Sequence, residues 1–169
     1  MSAGRKNNTD KKDWNTPPKY VKPIKEFFGG KVELDPCSNE FSLVGATSNF
    51  IYPHKDGLVE KWEAKTIFVN PPYGRSKGKS LYDWFNKSLE SVGEVIFLVP
   101  VATNTKHFKE IVFKKYNAIC FLSDTRLRFY NCGTEDKKGA PMACCLCYRG
   151  ERFFEFEKTF SSFGKVFKI

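Results

Sequence analysis

Long apolar runs are absent from the sequence: no stretch approaches the ~20 consecutive apolar residues that a membrane-spanning helix needs. The first residues are polar and lack the apolar core of an export signal. We therefore expect a cytoplasmic protein that has no membrane partner.

Residues that bind metal ions are also few or badly spaced. The two histidines, His54 and His107, are far apart in the chain, and the six cysteines form no repeated pair of the kind that zinc sites use. Cys144, Cys145 and Cys147 share one apolar run and are interpreted as buried thiols of a strand, with Cys144 facing away from the other two. The sequence therefore predicts no metal site and, in a cytoplasmic protein, no disulfide.

Acidic residues are outnumbered, since 28 lysines and arginines stand against 19 aspartates and glutamates, a net charge of +9. This excess predicts attraction to polyanions, with nucleic acid as the leading candidate and a merely soluble basic protein as the alternative. Residues 1–13 are predicted to be a flexible basic arm with four cationic residues: Arg5, Lys6, Lys11 and Lys12. We expect a single domain over 14–157 and a C-terminal tail over 158–169.

Strand and helix patterns alternate through most of the chain. Apolar strands are predicted over 32–35, 66–69, 94–99 and 118–122, with a further short strand within 46–51. Helices are predicted over 17–28, 81–92 and 105–116. This alternation predicts an α/β fold whose sheet is mostly parallel.

The pattern changes after residue 122, because the next strands follow one another without helices. They are predicted over 126–130, 142–148 and 152–156, with a polar loop over 131–141. Such neighbours usually pair antiparallel, so the predicted α/β fold ends in antiparallel C-terminal strands.

The tetrad Asn70-Pro71-Pro72-Tyr73 follows directly on the strand over 66–69, where open α/β sheets bind their ligands. The Asn70 side-chain oxygen and the Pro71 carbonyl can each accept a hydrogen bond, and proline stiffens the turn that aims them. Two such acceptors would hold both hydrogens of an amino group on an aromatic ring and localise its lone pair on the nitrogen. Tyr73 offers a ring on which an extruded base can stack. The alternative is an ordinary tight turn after a strand.

Two further segments lie before the tetrad. Trp14-Asn15-Thr16-Pro17-Pro18 leads into the first predicted helix, and Glu33-Leu34-Asp35-Pro36-Cys37-Ser38 spans the end of the first predicted strand. An acidic group at a strand end can accept hydrogen bonds from the amino group or ribose of a cofactor. Each segment alone also has a structural explanation, a helix cap for the first and a strand-terminating turn for the second.

Together and in this order, the three segments resemble the phage-type Dam-like DNA N-6-adenine methyltransferases. That family joins a tryptophan-x-threonine-proline start, an aspartate-containing first strand and an NPPY tetrad. The resemblance continues through Gly74-Arg75, the strand that ends at Pro100, Thr103-Asn104-Thr105 and Leu127-Arg128-Phe129, and it covers roughly residues 13–149.

The resemblance implies a Rossmann-like methyltransferase fold and S-adenosylmethionine as the methyl donor. It implies that the tetrad holds the adenine. It also places the cofactor on five residues by position, with the first two over the methionine part and the last at the cofactor's adenine: Thr16, Pro17, Asp35, Pro36 and Asp56. A phage origin, and hence the host cytoplasm, is implied as well.

Two features depart from the family's pattern. No glycine follows Asp35 until Gly45, where a methyltransferase often has a glycine-rich turn. Only 70 − 35 = 35 positions separate Asp35 from Asn70, and one strand–helix–strand unit takes ~30 residues or more. We therefore expect a pared-down sheet with loops in place of helices, and no ribose-binding acid is assigned.

A base inside double-stranded DNA must leave the stack to be methylated, and the enzyme then needs contacts to phosphates. Five basic residues are predicted to make them: Arg75, Lys77, Lys79, Arg126 and Arg128. The alternative for the first three is a solvated run of charge, and for the last two an ion pair with an acid such as Asp124. Base readout is assigned to loops 74–80 and 131–139, because the chain has no room for a separate recognition domain.

Three other functions remain open. The tetrad chemistry also suits the planar amide of a protein glutamine methyltransferase, although the basic charge favours DNA. Cytosine N4 methylation uses related chemistry. A catalytically inactive DNA-binding relative fits the missing glycine-rich turn, whereas the intact tetrad argues against it.

Overall fold

The apolar strands pair into one large sheet, and a second, small sheet connects the N-terminal segment to a hairpin. The computed structural model describes residues 14–75 and 78–169. Its strands, in chain order, are β1 (Trp14–Asn15), β2 (Leu34–Ser38), β3 (Ser48–Ile51), β4 (Thr66–Val69), β5 (Glu94–Pro100), β6 (Ala118–Leu122), β7 (Tyr130–Asn131), β8 (Thr134–Glu135), β9 (Cys144–Arg149) and β10 (Gly164–Lys168). The helices are α1 (Pro18–Phe27), α2 (Leu81–Ser88), α3 (Phe113–Lys115), directly preceded by a π-helical segment (Phe108–Val112), and α4 (Phe153–Phe160).

Seven strands form the large sheet in the order β10-β6-β9-β5-β4-β2-β3. The pairs β2–β3, β2–β4 and β4–β5 are parallel, whereas β5–β9, β6–β9 and β6–β10 are antiparallel. The predicted α/β class with antiparallel C-terminal strands is therefore confirmed. Antiparallel pairing takes a larger share than expected, since the sheet is mixed rather than mostly parallel.

Helices cover both faces of this sheet, which explains why its central strands are apolar throughout. Along β5, Ile96 and Leu98 pack with residues of α1 and α4, while Val95, Phe97 and Val99 pack with α2 and the π-helical segment. These alternating side chains are all fully buried. The cysteines of β9 follow the same rule: Cys144 faces α1 and α4, and Cys145 and Cys147 face the other layer, as predicted.

The strand predicted over 152–156 is wrong, because these residues begin α4. Phenylalanine is common in both strands and helices, so its abundance there did not distinguish them. The deciding feature is the spacing: Phe156 and Phe160, four residues apart, are both fully buried, as one face of a helix requires.

The strand predicted over 126–130 is also largely wrong. Of these residues only Tyr130 joins a ladder, in β7, whereas the carbonyls of Leu127 and Phe129 accept hydrogen bonds from the backbone N–H groups of Ala140 and Asp136. The polar loop expected over 131–141 contains β8, which pairs antiparallel with β7. Cys132 and Gly133 form this hairpin turn, both with positive φ.

Residues 158–169, set apart as a tail in the sequence, hold the end of α4 and the edge strand β10. Five residues of β10 pair with five of β6, from Gly164 opposite Leu122 to Lys168 opposite Ala118. No secondary structure was predicted here, because the aromatic residues of this stretch have no consistent period.

Arg152, at the start of α4, forms hydrogen bonds to β5 and to α1. Its Nε and Nη2 donate to the Glu94 carboxylate at 2.9 Å each, and its Nη1 donates to the Phe27 carbonyl at 3.0 Å. We expect Arg152→Ala to lower the free energy of unfolding by about 2 kcal/mol, because charge-assisted hydrogen bonds to β5 and α1 are lost together. Urea unfolding monitored by circular dichroism measures this change.

The matched control is Lys22→Ala, which removes an exposed ion pair with Glu26 at 3.9 Å. Its expected cost is below about 0.5 kcal/mol, since exposed pairs within a helix contribute little. Equal losses in the two variants would show that the Arg152 network does not stabilise the fold.

Candidate active site

The tetrad lies at the edge of the large sheet where β4 ends. Leu34 of β2 is opposite Ile67 of β4, and the two strands are parallel, so both present their carboxyl ends at this edge. Val69 is fully buried, and Asn70 is partly exposed directly after it. Prolines 71 and 72 cannot continue the ladder, which is why the chain turns away here.

The side chain of Asn70 is held by the backbone of the N-terminal segment. Its Nδ2 donates a hydrogen bond of 2.8 Å to the carbonyl oxygen of Trp14. A carbonyl oxygen can only accept, so this bond fixes which side of the amide carries the nitrogen. The Oδ1 atom is consequently the group that Asn70 offers to a donor.

Three aromatic rings form a cluster beside this amide. Trp14 stacks on Phe129 with centroids 5.2 Å apart and an interplanar angle of 6°. Tyr73 meets Trp14 edge-on at 6.0 Å and Phe129 at 5.7 Å. The Tyr73 hydroxyl donates to the Leu98 carbonyl at 3.2 Å, and burial raises the pKa of this phenol well above its usual range. Tyr73 is therefore a fixed, neutral ring.

The expected cofactor residues of the N-terminal segment are buried. Thr16 is 2% exposed, and its hydroxyl has no hydrogen-bond partner among the described residues. Pro17 comes next and its carbonyl accepts the first helical bonds of α1, from Tyr20 and Val21. A buried hydroxyl without a partner is costly, so the position of Thr16 fits a residue that hydrogen-bonds to a ligand.

Asp35 is a buried carboxylate of β2, 4% exposed. Its Oδ1 accepts from the Cys37 N–H at 3.1 Å and its Oδ2 from the Ser42 hydroxyl at 3.3 Å. Burial raises the pKa of this carboxyl to about 6, although these hydrogen bonds favour the charged form. The sequence predicted Asp35 to be a ligand-binding acid, and a raised pKa is typical of carboxyl groups in functional sites.

The loop that contains Asp56 packs against Pro36 of β2. Asp56 Oδ1 accepts from the Leu58 N–H at 2.9 Å, and the next residue, Gly57, lies against the Pro36 carbonyl. A Cβ built on Gly57 would come within 1.9 Å of that carbonyl oxygen. The absence of a side chain at Gly57 is what allows the two backbones to approach this closely.

Asp35→Asn is expected to remove a pH dependence of stability. The folded pKa of about 6 lies above the usual value, so between about pH 4 and pH 6 the folded state keeps a proton that the unfolded chain has lost. The contribution of Asp35 to the free energy of unfolding of the wild type should therefore fall as pH rises through this window, by at most about 3 kcal/mol, and should be absent from the variant. Urea unfolding of wild type and variant across this window measures it. Parallel pH profiles for the two proteins would rule out the raised pKa.

Four of the five predicted DNA-contacting residues are exposed: Arg75, Lys79, Arg126 and Arg128. The fifth, Lys77, and the cationic residues of 1–13 lie outside the described residues. Arg126 and Arg128 alternate with the buried Leu127 and Phe129, so the pair shares a face as predicted for an extended segment.

The ion-pair alternative for these arginines is only partly met. Arg128 approaches Glu135 of β8 at 4.0 Å, between two exposed side chains. Asp124 is instead bound by Lys19 at 2.5 Å and by the Tyr20 hydroxyl. Because an exposed ion pair at this distance contributes little, Arg128 remains available for another anion.

Within 14–75 and 78–169, no group of three or more histidine, cysteine, aspartate or glutamate side chains is placed to hold a metal ion. No helix in those ranges is long and apolar enough to cross a membrane. His107 is buried, stacks on Phe85 at 5.4 Å and has its pKa lowered by burial, so it is a packing residue.

The contacts that Phe129 and Trp14 make next to Asn70 were not predicted from the sequence. Phe129 was noted only as part of a motif, and Trp14 only as the start of one. Their contacts join residues far apart in the chain, and the atom of Trp14 that binds Asn70 is a backbone carbonyl, which any residue type has. The alternation of 126–129 was the one available signal for Phe129.

Comparison with known proteins agrees with the resemblance. The family model described as DNA N-6-adenine-methyltransferase (Dam) matches residues 3–165. The DNA N-6-adenine-methyltransferase of Haemophilus phage HP1 (strain HP1c1) is 28% identical over 129 residues, which cover 75% of this chain and 72% of the phage protein. With nearly its whole length matched, the chain belongs to the DNA N-6-adenine-methyltransferase (Dam) family.

Proposed function

We propose that this protein transfers a methyl group from S-adenosylmethionine to the N6 atom of an adenine that has been flipped out of double-stranded DNA. The observation that carries the proposal is the bond from Asn70 Nδ2 to the Trp14 carbonyl, which leaves Asn70 Oδ1 as an acceptor at the end of β4. Family membership supports the same reaction.

The chemistry follows from the electronic state of the target nitrogen. The lone pair of an adenine amino group is delocalised into the ring, which makes N6 a poor nucleophile. Asn70 Oδ1 and the Pro71 carbonyl would each accept a hydrogen bond from one N6–H and so favour a tetrahedral nitrogen with a localised lone pair. Tyr73, neutral and fixed through its hydroxyl, supports the base by ring contact.

The residues assigned to the cofactor fit an S-adenosylmethionine site. Thr16 has a buried hydroxyl without a described partner, Asp35 has a buried carboxylate, and Gly57 allows the loop of Asp56 to pack on Pro36. Thr16 and Pro17 would hold the methionine part and Asp56 the adenine, while Asp35 and Pro36 would bind the cofactor from β2. When bound, S-adenosylmethionine supplies an activated methyl group on a sulfonium.

The architecture supports a pared-down Rossmann-like methyltransferase domain. Four parallel strands, β3, β2, β4 and β5, end at one edge, and the segment between Asp35 and the tetrad contains no described helix. We propose that the exposed basic residues Arg75, Lys79, Arg126 and Arg128, with Lys77, contact DNA phosphates around the flipped base.

Product analysis tests the function directly. Purified protein is incubated with unmethylated duplex DNA and labelled S-adenosylmethionine, and the DNA is digested to nucleosides for mass spectrometry. We expect N6-methyladenine. A parallel reaction offers a glutamine-containing peptide in place of DNA, and calorimetry measures cofactor binding.

The other outcomes separate the alternatives. If the product is methylcytosine, the mechanism proposed for the tetrad stands, but the target base is cytosine and not adenine. If the peptide contains methylglutamine and the DNA is not methylated, the methyl acceptor is a protein glutamine and not a DNA base. Absence of both transfer and cofactor binding in folded protein would contradict an enzyme and favour a DNA-binding relative.

A further inference from the structure

Phe129 lies against both aromatic side chains of the tetrad region and yet is almost completely buried, at 1% exposed. We infer that Phe129 is a positioning residue for Asn70, acting through the ring and backbone of Trp14. This inference rests on the proposed function, because it concerns how the acceptor of the methylation reaction is held in place.

The connection runs through three contacts. Phe129 stacks on Trp14 at 5.2 Å with nearly parallel rings, and the Trp14 carbonyl accepts the Asn70 amide at 2.8 Å. Phe129 also meets Tyr73 edge-on at 5.7 Å. A single buried ring therefore contacts the residue that orients Asn70 and the last residue of the tetrad.

The backbone alone holds Trp14 weakly. Strand β1 has two residues, with Trp14 opposite Asn131 and Asn15 opposite Tyr130. So short a ladder leaves the Trp14 carbonyl free to shift unless its side chain is fixed. The stack on Phe129 supplies this fixation, and the Phe129 carbonyl in turn accepts from the Asp136 N–H at 2.7 Å.

A displaced Trp14 carbonyl would release the Asn70 amide, which could then rotate and present its NH2 group to the base. That group donates and cannot accept N6 hydrogens. Loss of the ring stack should therefore reduce the rate of the chemical step more than the binding of either substrate.

The first test compares Phe129→Leu with Phe160→Leu. Phe160 is also fully buried on the same face of the sheet, but its ring contacts are with Phe27, Phe156 and Phe163. We expect Phe129→Leu to lower kcat by about 10–100-fold while the KM values for DNA and cofactor change by less than about threefold. Phe160→Leu should lose a similar amount of thermal stability and keep its kcat. Equal kcat in the two variants would overturn the inference.

The second test uses Trp14, whose backbone carbonyl is present in every variant. Trp14→Phe keeps a ring that can stack on Phe129 and should retain most of kcat, whereas Trp14→Ala should lose it as Phe129→Leu does. If both substitutions lowered kcat equally, the stack would not be the positioning contact.

A third readout does not depend on activity. The side-chain amide of Asn70, assigned in nitrogen-15 spectra by its absence from Asn70→Ala, should show slow hydrogen exchange in wild type and in Phe160→Leu. It should exchange faster in Phe129→Leu. Unchanged exchange in that variant would overturn the positioning role even if the wild type methylated DNA, and faster exchange would support it even if the wild type did not.

Discussion

Asn70→Ala is expected to lower kcat for DNA methylation by about 10²–10³-fold while S-adenosylmethionine binding stays unchanged. The substitution removes Oδ1, one of the two acceptors proposed for the N6 hydrogens, and it also removes the bond to the Trp14 carbonyl. Because Asn70 is only partly buried and lies past the end of β4, the fold should tolerate the loss. Single-turnover kinetics with labelled cofactor measures the rate, and calorimetry measures binding.

Asn70→Asp separates the acceptor from the positioning bond. A carboxylate keeps an acceptor for N6 but cannot donate to the Trp14 carbonyl, whose oxygen would repel it. We expect a rate between those of wild type and Asn70→Ala. An alanine variant with a kcat within about threefold of wild type would contradict the tetrad mechanism.

Gly57→Ala is expected to lower the free energy of unfolding by about 3 kcal/mol, or roughly 10 °C in Tm for a chain of this size. The added Cβ would lie 1.9 Å from the Pro36 carbonyl oxygen and 3.0 Å from Trp84. Relief requires the loop of Asp56 to move away from β2. Binding of S-adenosylmethionine should therefore weaken by more than the loss of stability explains, which calorimetry well below the Tm tests.

Gly74→Ala is the matched control, because the same Cβ would meet nothing within 4 Å there. Its Tm should stay within about 1 °C of wild type, as for a substitution without new contacts. If Gly57→Ala were equally harmless in Tm and in cofactor binding, the contact between the Asp56 loop and β2 would have no role in the site.

Local patterns in the sequence predicted the parts of the fold that depend on them. The strand over 66–69 was located because an apolar run ends at two prolines, and this also located the tetrad. The alternation of Arg126, Leu127, Arg128 and Phe129 predicted which arginines share a face. Both cases involve neighbours in the chain, whose geometry the backbone period sets.

Long-range contacts account for what the sequence did not reveal. Phe129 and Trp14 are 129 − 14 = 115 positions apart, and no periodic pattern reports that they stack. The proton affinity of Asp35 depends on how completely the fold buries it, which its short local motif does not contain.

Helix α4 was missed for a local reason, because the predicted strand ended at Phe156, before the next buried residue of the helical face, Phe160, was counted.

The position of β9 between β5 and β6 has a consequence for synthesis on the ribosome. Both neighbours leave the ribosome before β9, and β9 pairs antiparallel with each of them. Until residue 149 has emerged, β5 and β6 therefore each expose an apolar strand edge, because they pair with β9 and not with each other. Translation that pauses before Cys144 would prolong this interval and favour capture by chaperones or aggregation.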